Sequence, residues 1–361
     1  MSRHCLAIID TRAFVANYRH AKSLAHGARA VAVIKANGYG HGAVTLGRAL
    51  AAEADAFAVA SCEEALELRE SGIDNPILLL EGPFEPGEIT DAVHHRLMPV
   101  VHSHKQVDWL LSARPARPLD LWLKVDTGMH RLGFLPADAA AALDSLLASG
   151  AVAQPPVLCT HLACADDLDK PATGRQLQAF AKIAAGRDLP RSIANSAGIM
   201  HWPGSHADWN RPGIMLYGCE PTGSFDGKSE LRPVMSLVSE IMAIRDIAPG
   251  EGVGYGHRWR AAGPARIGTV SVGYADGYPR HARNGTPVWV KGRRAALAGT
   301  VSMDMITVDL TGRDDVAVGD PVELWGPNVP VNEVAACAGT IGYDQLAGMP
   351  ARLPRVYVES I

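Results

Sequence analysis

A regular alternation of apolar runs and amphipathic, Ala-rich segments constrains the fold of this chain more than any other feature of its sequence. The apolar runs occupy residues 30–35, 56–61, 77–81, 98–102, 119–125, 157–161 and 191–195, with an eighth at either 207–211 or 214–217. The helix-like segments include residues 11–24, 43–54, 62–71, 137–149 and 174–185. Strands that alternate with helices at a spacing of about 20 to 35 residues form βαβ units around a parallel sheet. A strand number near eight predicts a closed (β/α)8 TIM-like barrel.

The pattern changes near Pro221, where a polar and turn-rich segment begins. Beyond it, Gly, Asp and Pro separate apolar runs at residues 234–247, 265–274, 286–291, 305–310, 321–325 and 355–358, and one short helix is expected at 331–337. Such punctuation is typical of β-rich structure. We therefore expect the barrel over residues 11–230 and a mainly β C-terminal domain over residues 231–361, to which residues 1–10 add a strand.

Charge and composition exclude several classes of protein. The 34 Lys and Arg residues are scattered among 38 Asp and Glu residues instead of forming a basic stripe, so we expect no nucleic-acid partner. The N-terminus lacks the apolar stretch of about 7 to 15 residues that a secretory signal needs, and no run approaches the roughly 18 to 20 residues of a membrane span. We therefore expect a cytoplasmic protein without membrane contact. The 6 cysteines fit no zinc pattern, which predicts free thiols and no metal.

Lys35 is the first candidate for chemistry, because catalytic residues of βα barrels lie at the carboxyl ends of the strands. It stands where the first apolar run meets the glycine-rich turn of AVIKANGYGHG. Desolvation there lowers the pKa of an amine toward the range in which it attacks a carbonyl group. The alternative is a lysine that extends from the strand end into water. Tyr39 follows in the same turn and can direct its phenol toward an anion held beside Lys35.

Other strand ends carry further charged and polar groups. The fifth run leads into KVDTGMHRLGF, where Lys124 and Arg131 form either part of a site or an exposed, salt-bridged loop. The later candidates are His161 after the sixth run, Asn195 and Ser196 after the seventh, and Arg211, Gly213 and Ile214 near the eighth. Helix N-termini offer unpaired N–H groups to phosphate, and barrels commonly bind phosphate after strands seven and eight. A lysine opposite such a phosphate site suggests a phosphorylated aldehyde, pyridoxal 5'-phosphate.

Nine segments together carry a resemblance to a known family. They are AVIKANGYGHG, KVDTGMHRLGF, THLACAD, ANSAG, NRPGIMLYG, VGYG, VGYADGY, GTVSMD and TIGY. In this order and at about this spacing, the chain resembles the bacterial alanine racemases, which are fold-type III pyridoxal-phosphate enzymes. The resemblance extends from Leu6 to Tyr357. A single segment is a weak signal, whereas nine in order are specific.

The resemblance implies a two-base interconversion of L- and D-alanine. Lys35 would hold the cofactor covalently and then act as a base on one face of the substrate Cα. Tyr255 would act on the opposite face; its local sequence alone favours an ordinary tyrosine in a Gly-flanked turn, and the resemblance reverses that interpretation. A phenol has a pKa of about 10, which must be lowered for this role. His161 and Arg211 are the partners that the family uses to lower it.

The resemblance also implies how cofactor and substrate are bound. The cofactor-binding set would be Lys35, Tyr39, Arg131, His161, Asn195, Ser196, Arg211, Gly213, Ile214 and Tyr343. Within this set Arg211 would donate to the pyridine nitrogen, and because a guanidinium keeps its proton, that nitrogen stays unprotonated and the ring is a weaker electron sink. Arg131 would bond the phenolic oxygen and approach the substrate carboxylate, which the backbone N–H of Met303 also contacts.

Two features implied by the resemblance vary among family members. Lys124 stands where some relatives carry a carbamylated lysine. Asp166, Tyr274 and Arg280 match residues that narrow the access corridor, whereas Thr300 stands where some relatives have arginine. Because of this departure, the resemblance leaves open the charge of the corridor and its effect on substrate exclusion, but it does not alter the implied chemistry.

Lys35 and Tyr255 lie in different predicted domains, so the resemblance implies a homodimer with shared active sites. A broader-specificity amino-acid racemase is an alternative, although such enzymes are usually exported. A pyridoxal-phosphate-dependent decarboxylase is less favoured, because the chain lacks the cysteine-containing signature that those enzymes carry near their C-terminus. A non-catalytic carrier module would need only the barrel. The D-alanine would serve as a peptidoglycan precursor or be consumed catabolically, and the sequence leaves both roles open.

Overall fold

The structure is a computed structural model that describes residues 3–153 and 155–359. These residues form two units. One, here called the barrel unit, contains residues 18–38 and 43–216. The other, here called the β unit, contains the described part of residues 1–17, residues 39–42 and the described part of residues 217–361.

Eight strands close the barrel unit, which confirms the predicted barrel. They are Arg29–Val33, Ala56–Val59, Ile77–Leu79, Leu97–Val101, Trp122–Lys124, Val157–Cys159, Arg191–Ser192 and Trp209–Asn210. Every pairing between neighbouring strands is parallel. Parallel strands are covered on both faces, and this is why they read as continuous apolar runs. The rings of Trp122 and Trp209 lie 5.8 Å apart.

The sequence leaves two candidates for the eighth strand, residues 207–211 and 214–217, and the structure has the strand within the first. Trp209–Asn210 pairs with both Arg29–Val33 and Arg191–Ser192 and so closes the barrel. Residues 214–217 form a short 3-10 helix instead.

Helices follow most of the barrel strands. They are Ala43–Leu50, Cys62–Glu70, Gly87–His94, His104–Ala113, Pro136–Ala148, Ala172–Ala184 and Ser196–His201, and a further helix, Thr11–Leu24, precedes the first strand. The sequence pattern identifies several of these segments but does not single out Gly87–His94 or His104–Ala113, because each buries only two apolar side chains: Ile89 and Ala92 in the first, Val107 and Leu110 in the second. No helix among the described residues is long and apolar enough to cross a membrane.

The β unit is built on one eight-stranded sheet, as expected for a mainly β domain. Its strands are Cys5–Asp10, Met235–Ile247, Ala265–Val270, Pro287–Val290, Arg293–Leu297, Ile306–Asp309, Pro321–Trp325 and Arg355–Val358. Cys5–Asp10 lies between two of them, antiparallel to Met235–Ile247 and parallel to Arg355–Val358. A separate ribbon pairs Gly252–Val253 with Trp259–Arg260, and helices Val331–Ala338 and Gly342–Ala347 complete the unit.

Candidate active site

Lys35 lies two residues beyond Val33, the last residue of the first barrel strand. The backbone N–H of Val33 donates to Pro212 O at 3.0 Å, and that of Ile34 donates to Ala58 O at 2.9 Å. The chain then turns left-handed, with φ of 52° at Ala36 and at Asn37. A side chain in this conformation is disfavoured by about 1–2 kcal/mol per residue. The lysine is therefore followed by a strained turn.

Arg211 is buried at the ends of the sixth and seventh barrel strands. Its guanidinium donates to Thr160 O at 2.5 Å, to Ile193 O at 3.1 Å and to the Ser192 hydroxyl. Burial lowers the pKa of Arg211, but a guanidinium stays protonated in proteins. These acceptors hold a permanent cation in one orientation.

His161 lies in the field of this cation. Burial lowers its pKa well below the usual range, and the charges of Arg211, Lys124, Arg131 and Lys35 lower it further, in that order. The imidazole is therefore neutral at neutral pH. His161 and the four charged residues that lower its pKa all belong to the barrel unit.

Lys124 ends the fifth barrel strand. Burial lowers its pKa, and Arg211 and Arg131 contribute to the same shift, whereas Cys159 opposes it. Among the described residues its amine makes no hydrogen bond or ion pair. Repulsion and burial together favour the neutral amine at this position.

Asp126 shapes the loop that carries Arg131. Its Oδ1 accepts hydrogen bonds from the backbone N–H groups of Gly128 at 2.9 Å and of Met129 and His130 at 3.1 Å. Burial alone would raise the pKa of Asp126, but these bonds and the nearby His130 lower it below its ordinary value. Arg131 follows this turn with an exposed side chain.

Ser196 and Gly213 form the part of the site suited to a phosphate group. The Ser196 hydroxyl accepts the N–H of Gly213 at 2.9 Å and that of Met215 at 3.3 Å, which places Ile214 beside it. The Asn195 side chain caps the Ser196–His201 helix by accepting the N–H of Gly198 at 3.0 Å. The hydroxyl and the backbone groups predicted to bind phosphate are therefore adjacent, although the Gly213 N–H, expected to be unpaired, is bonded to that hydroxyl.

Tyr39 and Tyr343 meet within the β unit, with ring centroids 6.3 Å apart. Tyr39 also stacks on Tyr217 at 4.7 Å. Burial raises the pKa of Tyr39 to about 12. Its phenol therefore keeps its proton at neutral pH and can donate a hydrogen bond to an anion.

Tyr255 lies elsewhere in the β unit, beside the short ribbon. Its side chain is 72% exposed, and its carbonyl oxygen accepts the Thr300 hydroxyl at 3.0 Å. Thr300, which departs from the arginine of some relatives, thus bonds the backbone of the proposed second base. Among the residues that the structure describes, the Tyr255 phenol makes no hydrogen bond.

Met303 and Tyr274 lie on two loops that bond to each other. The N–H of Tyr274 donates to Ser302 O and that of Ala275 to Met303 O, both at 3.0 Å. The Arg280 guanidinium lies 6.0 Å from the Tyr274 ring. Asp166, the third corridor residue, belongs to the barrel unit, in the loop after its sixth strand.

Two carboxylates that bond loops near the predicted site residues are not among the candidates that the sequence predicts. Asp276, inside the VGYADGY segment, accepts the side chains of Arg3 and Arg352. Glu64 bonds the backbone beside Lys35. A signal for Glu64 exists, because Ser61 and Glu64 have the S-x-x-E spacing of a helix N-terminus. That spacing identifies a helix start but not the contact with the strand-one turn.

Comparisons with known proteins agree along the whole chain. The family model "Alanine racemase, N-terminal domain" matches residues 9–221, and "Alanine racemase, C-terminal domain" matches residues 234–357. The chain is 50% identical over 358 residues to an alanine racemase of Chromohalobacter salexigens, covering 99% of this chain and 98% of the relative. It is 51% identical to a catabolic alanine racemase of Pseudomonas aeruginosa, covering 98% and 99%.

Solved structures show the same similarity. The biosynthetic alanine racemase from Pseudomonas aeruginosa superimposes with a TM-score of 0.95 at 48% identity, covering 99% of each chain. An alanine racemase from Bartonella henselae, solved with covalently bound pyridoxal phosphate, gives a TM-score of 0.89 at 32% identity, covering 98% of this chain and 99% of that one.

Proposed function

The chain belongs to the alanine racemase family and is therefore an isomerase, and from this premise we propose that it interconverts L- and D-alanine with pyridoxal 5'-phosphate held at Lys35. The observation that carries the proposal is the arrangement at the barrel strand ends. There the buried Arg211 is fixed by Thr160, Ser192 and Ile193 next to the half-buried His161, and the charges of Arg211 and Lys35 both lower the pKa of that imidazole. Amine, guanidinium and imidazole are the groups that a lysine-bound cofactor and a proton relay require.

The residues present fit this cofactor. The Ser196 hydroxyl and the Gly213 backbone lie together at a helix start, and the protonated phenol of Tyr39 is a hydrogen-bond donor. Such groups suit a phosphate. Ile214, Tyr343 and Asn195 would complete its surroundings. Arg131, which follows the Asp126 turn, would bond the phenolic oxygen.

When bound, pyridoxal phosphate supplies the electron sink that makes the substrate Cα–H acidic. Arg211 would bond the pyridine nitrogen without giving up a proton, which limits that sink and favours return of the proton to Cα. Lys35 would move a proton on one face of Cα and Tyr255 on the other. His161 would connect Tyr255 to the charge of Arg211. The backbone N–H of Met303 would orient the substrate carboxylate.

Tyr255 also supports a homodimer. A general base needs a partly desolvated setting that tunes its pKa, whereas this phenol is 72% exposed in the single chain. We propose that it reaches Lys35 of the partner subunit, so that each site is shared between two copies. Cytoplasmic location and supply of D-alanine as a peptidoglycan precursor belong to the same proposal.

Lys124 is proposed to carry a carbamate that bonds Arg131. Carbamylation requires an unprotonated amine, and both burial and the neighbouring arginines favour that form. An anion at this position would also balance the local excess of positive charge.

The test separates racemisation from the rival activities. Loss of tritium from the α-carbon of alanine without release of carbon dioxide is expected. Release of carbon dioxide would indicate a decarboxylase, and no loss of tritium would indicate a carrier module. Rates with alanine, serine, lysine and arginine in both configurations should favour alanine strongly. Comparable rates with lysine or arginine would support a broader-specificity racemase instead.

A further inference from the structure

Glu64 is a second determinant of the site beside the cofactor-binding lysine. We propose that Glu64 is a positioning residue, which orients Lys35 by holding the left-handed turn that follows it. This inference rests on the proposed function, because it takes Lys35 to be the residue that binds the cofactor.

The turn needs such support because its residues are not all glycine. Ala36 and Asn37 both have φ of 52°, and Gly38 follows at 61°. Glycine adopts this conformation freely, and asparagine adopts it when its side chain bonds locally, as that of Asn37 does, whereas alanine at position 36 adopts it only at a cost. Left unsupported, the backbone after Lys35 would relax to negative φ and move the start of the lysine side chain.

Glu64 contacts the turn at its first strained residue. The Glu64 Oε1 atom accepts the backbone N–H of Ala36 at 2.6 Å, and Oε2 accepts that of Ala60 at 2.7 Å. Ala60 follows the second barrel strand, which pairs with the first. One carboxylate therefore ties together the loops after two neighbouring strands.

Two further hydrogen bonds stabilise the later residues of the turn. The Asn37 side-chain oxygen accepts the N–H of Ala43 at 3.0 Å, and the N–H of Gly38 donates to Ile34 O at 2.8 Å. These bonds are made within the turn and its own continuation. Glu64 supplies a contact from another element, the Cys62–Glu70 helix.

The role requires a carboxylate. Both oxygens accept from backbone N–H groups, whereas an amide has one acceptor and would direct its NH₂ at the other N–H group. Glu64→Gln should therefore release one of the two loops. Hydrogen bonds to charged groups contribute enough that the population of the correctly placed lysine should fall about tenfold or more.

The experiment measures attachment of the cofactor itself. Protein freed of cofactor is mixed with pyridoxal 5'-phosphate; the Lys35 amine condenses with the aldehyde to form a carbon–nitrogen double bond and releases water. Borohydride then reduces that bond, and intact mass counts the modified protein over time. Glu64→Gln should slow attachment, and kcat for alanine, about tenfold. Glu63→Gln, a neighbouring change in the same helical turn, is the matched control and should match the wild type within about twofold.

A second variant separates positioning from general damage to the fold. Ala36→Gly removes the strain that Glu64 is proposed to offset, so adding Glu64→Gln to it should slow attachment by no more than about threefold relative to Ala36→Gly alone. A tenfold loss in that double variant, or attachment by Glu64→Gln at the rate of Glu63→Gln, would overturn the proposal. The comparison within the Ala36→Gly background stands even if Glu64→Gln alone does not fold. Failure of the wild type to attach cofactor at Lys35 would instead refute the proposed function.

Discussion

Replacing Asp276 by asparagine should destabilise the β unit more than removing one charge from an exposed ion pair does. Asp276 is 1% exposed. It accepts two hydrogen bonds from Arg3, at 2.7 and 2.6 Å, one from Arg352 at 2.8 Å and one from the N–H of Gly273 at 2.9 Å. The asparagine keeps one oxygen but turns an NH₂ group toward a guanidinium, so Arg3 loses its carboxylate partner, whereas Arg352 keeps its ion pair with Asp304.

The burial of the ion pair determines how far Asp276→Asn should lower the free energy of unfolding. Breaking a buried ion pair by removing one charge destabilises a protein by about 3–5 kcal/mol. The side chains of Arg3 and Arg352 are 38% and 42% exposed, so water can solvate them in part. We therefore expect the lower end of that range, about 3 kcal/mol at pH 7.

The difference in unfolding free energy between the wild type and Asp276→Asn should be smaller in acid. Burial alone would raise the pKa of Asp276, but the bonds from Arg3, Gly273 and Arg352 lower it below its ordinary value. A carboxyl with a depressed pKa contributes fully above its unfolded value of about 4, and that contribution is lost as pH falls through the folded value. The difference between Asp276→Asn and wild type should therefore decline below about pH 4.

Urea unfolding followed by tryptophan fluorescence at pH 7 and at about pH 3.5 measures both effects. Asp315→Asn is the matched control, since Asp315 forms an exposed pair with Arg293 at 2.8 Å and should contribute about 0–1 kcal/mol. Because Asp276 also bonds the loop that contacts the Met303 segment, KM for alanine should rise more than kcat falls. Equal unfolding free energies for the Asp276→Asn and Asp315→Asn proteins at pH 7 would refute the reasoning.

Three further predictions concern the proposed proton-transfer residues, Lys35 and Tyr255, and the proposed carbamate at Lys124. Tyr255→Phe should retain cofactor but slow α-proton exchange with deuterium, measured by NMR, far more for one enantiomer of alanine than for the other; equal slowing would contradict a two-base mechanism. Mixing inactive Lys35→Ala and Tyr255→Phe proteins should restore about a quarter of wild-type activity, since half of the dimers are mixed and each has one intact site; no recovery, with subunit exchange shown by tag pull-down, would exclude shared sites. Carbon-13 bicarbonate should give a carbamate NMR signal that Lys124→Gln abolishes, and its absence from the wild type would contradict the proposed modification.

Much of the fold is determined locally, and the sequence therefore predicts it. Barrel strands such as Ala56–Val59 are fully buried and must be apolar along their length, so a short window reveals them. The same short window does not reveal the strand Arg293–Leu297, because its sequence RRAAL begins with two exposed arginines and only Leu297 is buried. The position of Lys35 at a strand end is also predictable from a short stretch of sequence, because the prediction requires only the end of an apolar run and the start of a turn.

Other features depend on contacts between distant parts of the chain. Residues 207–211 and 214–217 are both plausible strands by composition, and only the pairing of Trp209–Asn210 with Arg29–Val33 selects the first. The Arg3 and Asp276 side chains meet across 273 positions, and Glu64 reaches an amide 28 positions away. A charged residue looks the same in a sequence whether it faces water or a distant amide. Its partner is decided only when the folded backbone brings the two groups together and removes water from between them.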